Sequence, residues 1–161
     1  MSTASNQYEV VYSVHFVDAL GDGKDGQVLQ TAHGQAVKFF LHPEVYRREV
    51  RAYKLLKARG IDEVNGFHVP ELIRHDDSLL AIEMTIVRPP FILDFASAYT
   101  VQENARLGFD DDVLQEREAH WKEIFAERWP LVEATCVAFT QATGLILLDL
   151  SLNNIKFDCG K

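Results

Sequence analysis

Four groups of residues in this 161-residue sequence have types and spacings that could do chemistry. Gly21-Asp22-Gly23-Lys24-Asp25-Gly26-Gln27-Val28 follows the pattern G-x-G-x-x-G-x-V between two strand-like segments. Glycines there leave no side chain between the backbone N–H groups and an approaching phosphate. A dinucleotide-binding turn runs directly into a helix, whereas a strand pattern follows here. An ordinary flexible hairpin explains the glycines equally well. Lys38 lies in Ala36-Val37-Lys38-Phe39-Phe40, where alternation puts Ala36, Lys38 and Phe40 on one face. On an inner face the ammonium points into a cleft; on a solvated face it is a strand-edge lysine.

Glu49 decides between these. In the segment that starts at Pro43, Val45, Glu49, Ala52, Tyr53 and Leu56 recur at the spacing of one buried helical stripe. A carboxylate inside that stripe is costly unless paired, and Lys38 is the nearest candidate cation. The alternative is a Glu49 at the stripe's edge, reaching solvent. Farther on, the apolar run Leu145-Ile146-Leu147-Leu148 delivers Asp149, and Asn154 follows at D-x-x-x-x-N spacing. One loop of that length aims a carboxylate base and an amide oxygen at the same small volume. A turn rich in Asp, Ser and Asn is the commonplace reading of the same residues.

The elements that must position these groups follow from changes in periodicity. Tyr8, Val10, Tyr12, Val14 and Phe16 alternate with their neighbours, which predicts a strand over Gln7 to Phe16. A glycine-rich turn from Gly21 to Gly26 then leads to strands at Gln27 to Thr31 and Ala36 to Leu41. Pro43 at the start and Gly60 at the stop predict a helix from Pro43 to Arg59. Val69 to Arg74 and Ser78 to Val87 read as a strand pair around His75-Asp76-Asp77. Arg88-Pro89-Pro90 breaks regular structure and marks a lobe boundary. Beyond it, helices are expected at Phe91 to Tyr99, Asp111 to Glu127 and Pro130 to Thr143, the last closed by Gly144. Leu145 to Leu148 and Ile155 to Phe157 read as two short buried strands around a polar loop.

A hydrophobic share of 47% predicts an ordinary folded core. The net charge of -8 and pI near 5.2 argue against nucleic acid and anionic membrane surfaces, whose phosphates need clustered Lys and Arg. Met1 to Gln7 lacks the pattern of a secretory signal, and no apolar run reaches bilayer length, so a cytoplasmic protein is expected. Cys136 and Cys159 have no paired spacing and read as reduced thiols, and the six scattered histidines suggest no metal site. The stripe Val113, Trp121, Ile124 and Phe125 reads as core or subunit contact, which makes a homodimer an expectation.

The four groups stand in the chain order of the protein-kinase superfamily, which the chain resembles over most of its length. The resemblance implies an α+β fold, with a five-stranded antiparallel N-lobe and one helix in residues 1–87 and a reduced, mostly helical C-lobe in residues 88–161. It implies that Gly21, Gly23 and Gly26, with Val28 beside them, cover the phosphates of ATP, that Lys38 contacts those phosphates and that Glu49 orients Lys38. Asp149 becomes the catalytic base and Asn154 the Mg2+ ligand. Glu83-Met84-Thr85-Ile86 falls at the hinge, where backbone at Glu83 and Thr85 would bond the adenine. The short lysine-to-glutamate spacing resembles the smaller proteins related to aminoglycoside and lipopolysaccharide kinases. Two departures matter. Leu147-Leu148 replaces the usual His-Arg, which removes the arginine that reads a phosphorylated activation loop. Lys161 ends the sequence seven residues past Asn154, ahead of where a D-F-G motif would follow, and Asp158-Cys159-Gly160 reads as a hairpin turn. The expectation is an ATP-Mg phosphotransferase acting on a hydroxyl, or a pseudokinase that binds nucleotide or a protein partner without catalysis; an unrelated α+β protein stays open.

Overall fold

The computed structural model describes residues 3–158. Its first element, α1 (Thr3–Tyr12), is a helix where the alternation predicts a strand. Positions 8, 12 and 16 satisfy a period of two, but they also stand four apart, and a helix uses the second relation. Tyr8 is fully buried, the Tyr12 ring packs tilted against it at 4.5 Å between ring centroids, and Val10 and Val11 are exposed. Ser13 then turns the chain at φ 51 into the first strand.

Strands β1 (Phe16–Gly23), β2 (Gly26–Thr31) and β3 (Gln35–Phe40) form a meander. The glycine-rich segment is therefore mostly strand: Gly23 pairs with Gly26, and Lys24-Asp25 make the tip. Gly26 has φ 146, and a Cβ there would lie 1.7 Å from the Phe39 carbonyl oxygen, so that position admits glycine only. Helix α2 (Pro43–Arg59) has the expected bounds, and Gly60, left-handed at φ 64, closes it by donating its N–H to the Leu56 and Lys57 carbonyls. After a small hairpin of β4 (Glu63–Val64) and β5 (Phe67–His68), β6 (Leu72–Asp76) and β7 (Ala81–Thr85) supply the expected strand pair. The five longer strands make one antiparallel sheet in the order β1-β2-β3-β7-β6.

The central strand β3 is buried on both faces, and its two-residue period sorts side chains between two cores. Ala36, Phe40, Ile82 and Met84 pack toward α2, whereas Val37, Phe39, Ala81 and Leu29 pack toward α1.

The chain then passes through cis Pro89-Pro90. The helix expected over Phe91 to Tyr99 is absent. That stretch forms β8 (Phe91–Ile92), one 3-10 turn at Phe95–Ser97 and β9 (Ala98–Thr100). Its backbone groups are claimed by distant partners: β8 pairs with β11 (Ile155–Lys156) and β5, and left-handed Asp94 interrupts any helix. Helices α3 (Val101–Leu107), α4 (Asp111–Phe125) and α5 (Trp129–Thr143) follow, and Gly144 ends α5 at φ 74. Of the expected α4 stripe, Phe125 is buried, Trp121 and Ile124 are half-buried and Val113 is exposed. The terminal strands β10 (Leu145–Leu147) and β11 do not pair with each other; β10 joins β9 and β11 joins β8.

The fold is thus α+β with a five-stranded antiparallel sheet. The hairpin β4-β5 belongs to a second sheet, β11-β8-β5-β4, so residues 63–68 cross the boundary drawn after residue 87. One core cluster accordingly contains Tyr53, Phe67, Ile82, Phe95, Phe139 and Ile155. Cys136 is a free, half-buried thiol, and Cys159 with the rest of the expected terminal turn lies outside the described residues apart from Asp158. Among the described residues, no helix is long and apolar enough to cross a membrane.

Candidate functional site

Lys38 stands mid-strand in β3, between Val28 of β2 and Ile82 of β7. The alternation that sends Ala36 and Phe40 toward α2 sends the lysine there too, and its ammonium lies 4.9 Å from the Phe40 ring centroid. Glu49, on the inward face of α2, is 1% exposed and accepts a 2.7 Å hydrogen bond at Oε2 from Lys38 Nζ. The helix stripe therefore places the carboxylate and the strand pleat places the cation, each from its own period.

A second carboxylate completes the group. Asp94 Oδ1 accepts from Lys38 Nζ at 3.1 Å and from the Ala96 N–H at 3.2 Å. Burial acts against the Lys38 charge, but Glu49 and Asp94 outweigh it and hold the ammonium above its usual range. Burial pushes the Glu49 carboxyl up to about 7, with Lys38 pulling it down and Asp94 adding to the rise. Tyr53, one turn beyond Glu49, donates its hydroxyl to Met84 Sδ at 3.1 Å, and burial holds its phenol well above the usual range.

These side chains form the floor of a cavity of about 690 Å³ between the five-stranded sheet and the loops that precede β9 and β11. Its size falls within the roughly 300–1,000 Å³ of small-molecule sites. Gly21, Gly23, Gly26 and Val28 line the sheet side, and Asp149 and Asn154 line the opposite side. Gly21 and Gly23 have no atom within 4 Å of where a Cβ would stand, so the space above these two positions of the hairpin is open. Lys24, at the hairpin tip, lies 4.0 Å from Asp149 Oδ2 across the mouth. Asn154 donates its side-chain amide to the Asp149 carbonyl at 3.2 Å, and its backbone N–H bonds Ser151 O at 3.1 Å. The loop is thus tied to itself with both side chains on the cavity.

Thr85, with Met84, Ile86 and Val87, lines the adjoining wall. Glu83 does not reach it. Strand alternation turns that side chain to the other face, where it is fully buried and accepts bonds from Tyr8 at 2.9 Å and Arg74 at 2.5 Å. Its backbone sits in β7 between Val37 of β3 and Arg74 of β6.

Nine of the ten site residues named from the sequence therefore share one cavity, and Asp94 joins them unannounced. Its one sequence signal was a lone charge in the apolar run Phe91-Ile92-Leu93-Asp94-Phe95. Compared with known proteins, the chain matches no family model and no curated protein.

Proposed function

We propose that the protein is a kinase-like ATP-binding protein that transfers a phosphoryl group to a hydroxyl acceptor. The observation that carries this reading is the buried Lys38–Glu49 pair on the floor of a cavity bounded by open glycine backbone and by Asp149 and Asn154. Such a pair holds a positive charge at a fixed, buried point, where electrostatic stabilisation of phosphates is stronger than in water. Gly21 and Gly23, with no side chain in the way, would let the phosphates approach the hairpin closely, and the apolar wall at Val28, Ala36 and Met84 suits a flat base. Asp149 is the group available to accept a hydroxyl proton.

Mg2+ fits the donor set in part. Among the described residues no cluster of three or more His, Cys, Asp or Glu could hold a metal alone, so an ion at Asn154 would take its other oxygens from phosphates and water. When bound, Mg2+ would neutralise phosphate charge; the chain's residues position the two reactants.

A second reading, a nucleotide-responsive or scaffold module without catalysis, draws support from how fully the charges are already matched. Lys38 has two carboxylates, and Lys24 stands beside Asp149.

Thermal unfolding with ATP, with ATP plus Mg2+ and with neither tests both readings. ATP at 100 times its Kd should add about 2.7 kcal/mol, and Lys38→Ala should remove the gain. No shift in any condition defeats nucleotide binding. Radiolabel transfer lost in Asp149→Asn would reject the non-catalytic reading, and binding without transfer would reject the transferase.

A further inference from the structure

We propose that Asp94 is a ligand of nucleotide-bound Mg2+ and that it reaches the metal by leaving Lys38, so that the Lys38–Asp94 contact is the ligand-free half of a two-position switch. The inference rests on the nucleotide-binding reading above and assigns to that site a residue that lies on the far side of three helices from Asn154, the single metal ligand the sequence predicts.

The placement comes from strand pairing. Strands β8 and β11 run antiparallel with Ile92 opposite Ile155, so the chain leaves β8 at the end where it enters β11. The Leu93 N–H donates to the Asn154 carbonyl at 2.7 Å, which fixes Asp94 one residue beyond the rung that carries Asn154. Asp94 is a non-glycine residue at φ 64, a backbone state that surrounding structure must impose and that aims its carboxylate into the cavity beside Lys38.

The hydrogen bonds leave suitable atoms. Both bonds to Asp94 fall on Oδ1, and Oδ2 takes neither. Asn154 spends its amide N–H on the Asp149 carbonyl, which leaves the amide oxygen for a ligand. One carboxylate and one amide oxygen, with phosphates and water, form the kind of shared shell in which Mg2+ is usually held.

Charge then sets the order of events. With two carboxylates on one ammonium, the Lys38 group is net negative and opposes bare phosphates. A divalent ion attracts Asp94 more strongly than an ammonium does, and its departure frees Lys38 to meet the phosphates. Removing the Asp94 charge should therefore tighten metal-free ATP and abolish the gain from Mg2+, two effects of opposite sign.

Titration calorimetry of the full chain with ATP, with and without Mg2+, reads both effects, and Mn2+ electron paramagnetic resonance with ATP present reports metal binding without any turnover. Wild type should gain on the order of tenfold in affinity from Mg2+, within the usual range of coupling between ligands. In Asp94→Asn that ratio should fall toward one, metal-free ATP should bind a few-fold tighter and the Mn2+ signal should stay free. Asparagine keeps the Ala96 cap and tolerates φ 64, so the variant should fold. Asn154→Ala should lose the Mg2+ gain without tightening ATP. A full Mg2+ gain in Asp94→Asn, or weaker ATP binding with and without Mg2+ alike, overturns the assignment while leaving nucleotide binding intact. Absence of ATP binding by wild type in both arms removes the reading on which the assignment stands.

Discussion

The five-stranded sheet carries a buried carboxylate against each face, and the two sites differ in what surrounds them. On the α1 face, Glu83 is fully buried, bonded through Oε2 to Tyr8 and Arg74, with Oε1 buried and unpartnered among the described residues. On the α2 face, Glu49 is bonded to Lys38, and that pair adjoins open volume. Burial and an ion pair are common to both. The distinction lies in the cation and the space: an arginine fork stacked on Tyr12 suits a fixed joint, whereas a lysine point charge beside a cavity suits a ligand. A buried ion pair alone is thus no mark of a site; convergence with open backbone and a facing polar loop makes it one.

The strongest test of that contrast removes one partner on each side. Glu83→Ala should cost about 1–3 kcal/mol in urea unfolding, because buried Tyr8 loses its acceptor while Arg74 can turn to water, yet leave the nucleotide-induced thermal shift intact. Lys38→Met, which strands the buried Glu49 carboxylate, should cost more, about 3–5 kcal/mol at pH 8, and abolish that shift. Equal nucleotide effects from both variants would erase the distinction between the faces.

The pH dependence of the second variant sharpens the comparison. Burial already holds Glu49 up to about 7 with Lys38 present, so the folded state binds more protons than the unfolded state above pH 4.5. The carboxyl's contribution is greatest below its unfolded value and is lost as pH rises through about 7. Without the ammonium the loss extends to higher pH, so Lys38→Met should be markedly less destabilising at pH 6 than at pH 8. A penalty that does not change between those values would show that Glu49 finds solvent or another cation.

Smaller effects follow. Tyr8→Phe should cost about 1.5 kcal/mol, the usual worth of a hydrogen bond to a charged acceptor, with no change in nucleotide response. Gly21→Ala should alter stability by less than about 0.5 kcal/mol, since nothing lies within 4 Å of the new Cβ, yet weaken ATP by placing a methyl group in the space the phosphates would take. Unchanged ATP affinity in that variant would mean the hairpin does not touch the ligand.

What could be read from the chain depended on the range of the interaction that fixed it. Alternation along β3 and the stripe on α2 each set a side-chain direction locally, which is why Lys38 and Glu49 were legible as a pair. Asp149 and Asn154 were legible because one short loop holds both. The first helix was misread because tyrosines four apart also obey a period of two. The face of the sheet that the Glu83 side chain takes depends on register with β3 and β6, which its own segment does not reveal.

The sequence by itself determined strands β2 and β3, the pair β6 and β7, the bounds of α2 and the inward direction of Lys38 and Glu49, since each follows from periodicity or caps within a few residues. Tertiary structure alone decided that the segment after the prolines is strand rather than helix and that Asp94 stands beside Lys38. Those outcomes rest on backbone pairing of β8 with β5 and β11, partners distant in sequence that leave no periodic trace in the segment itself.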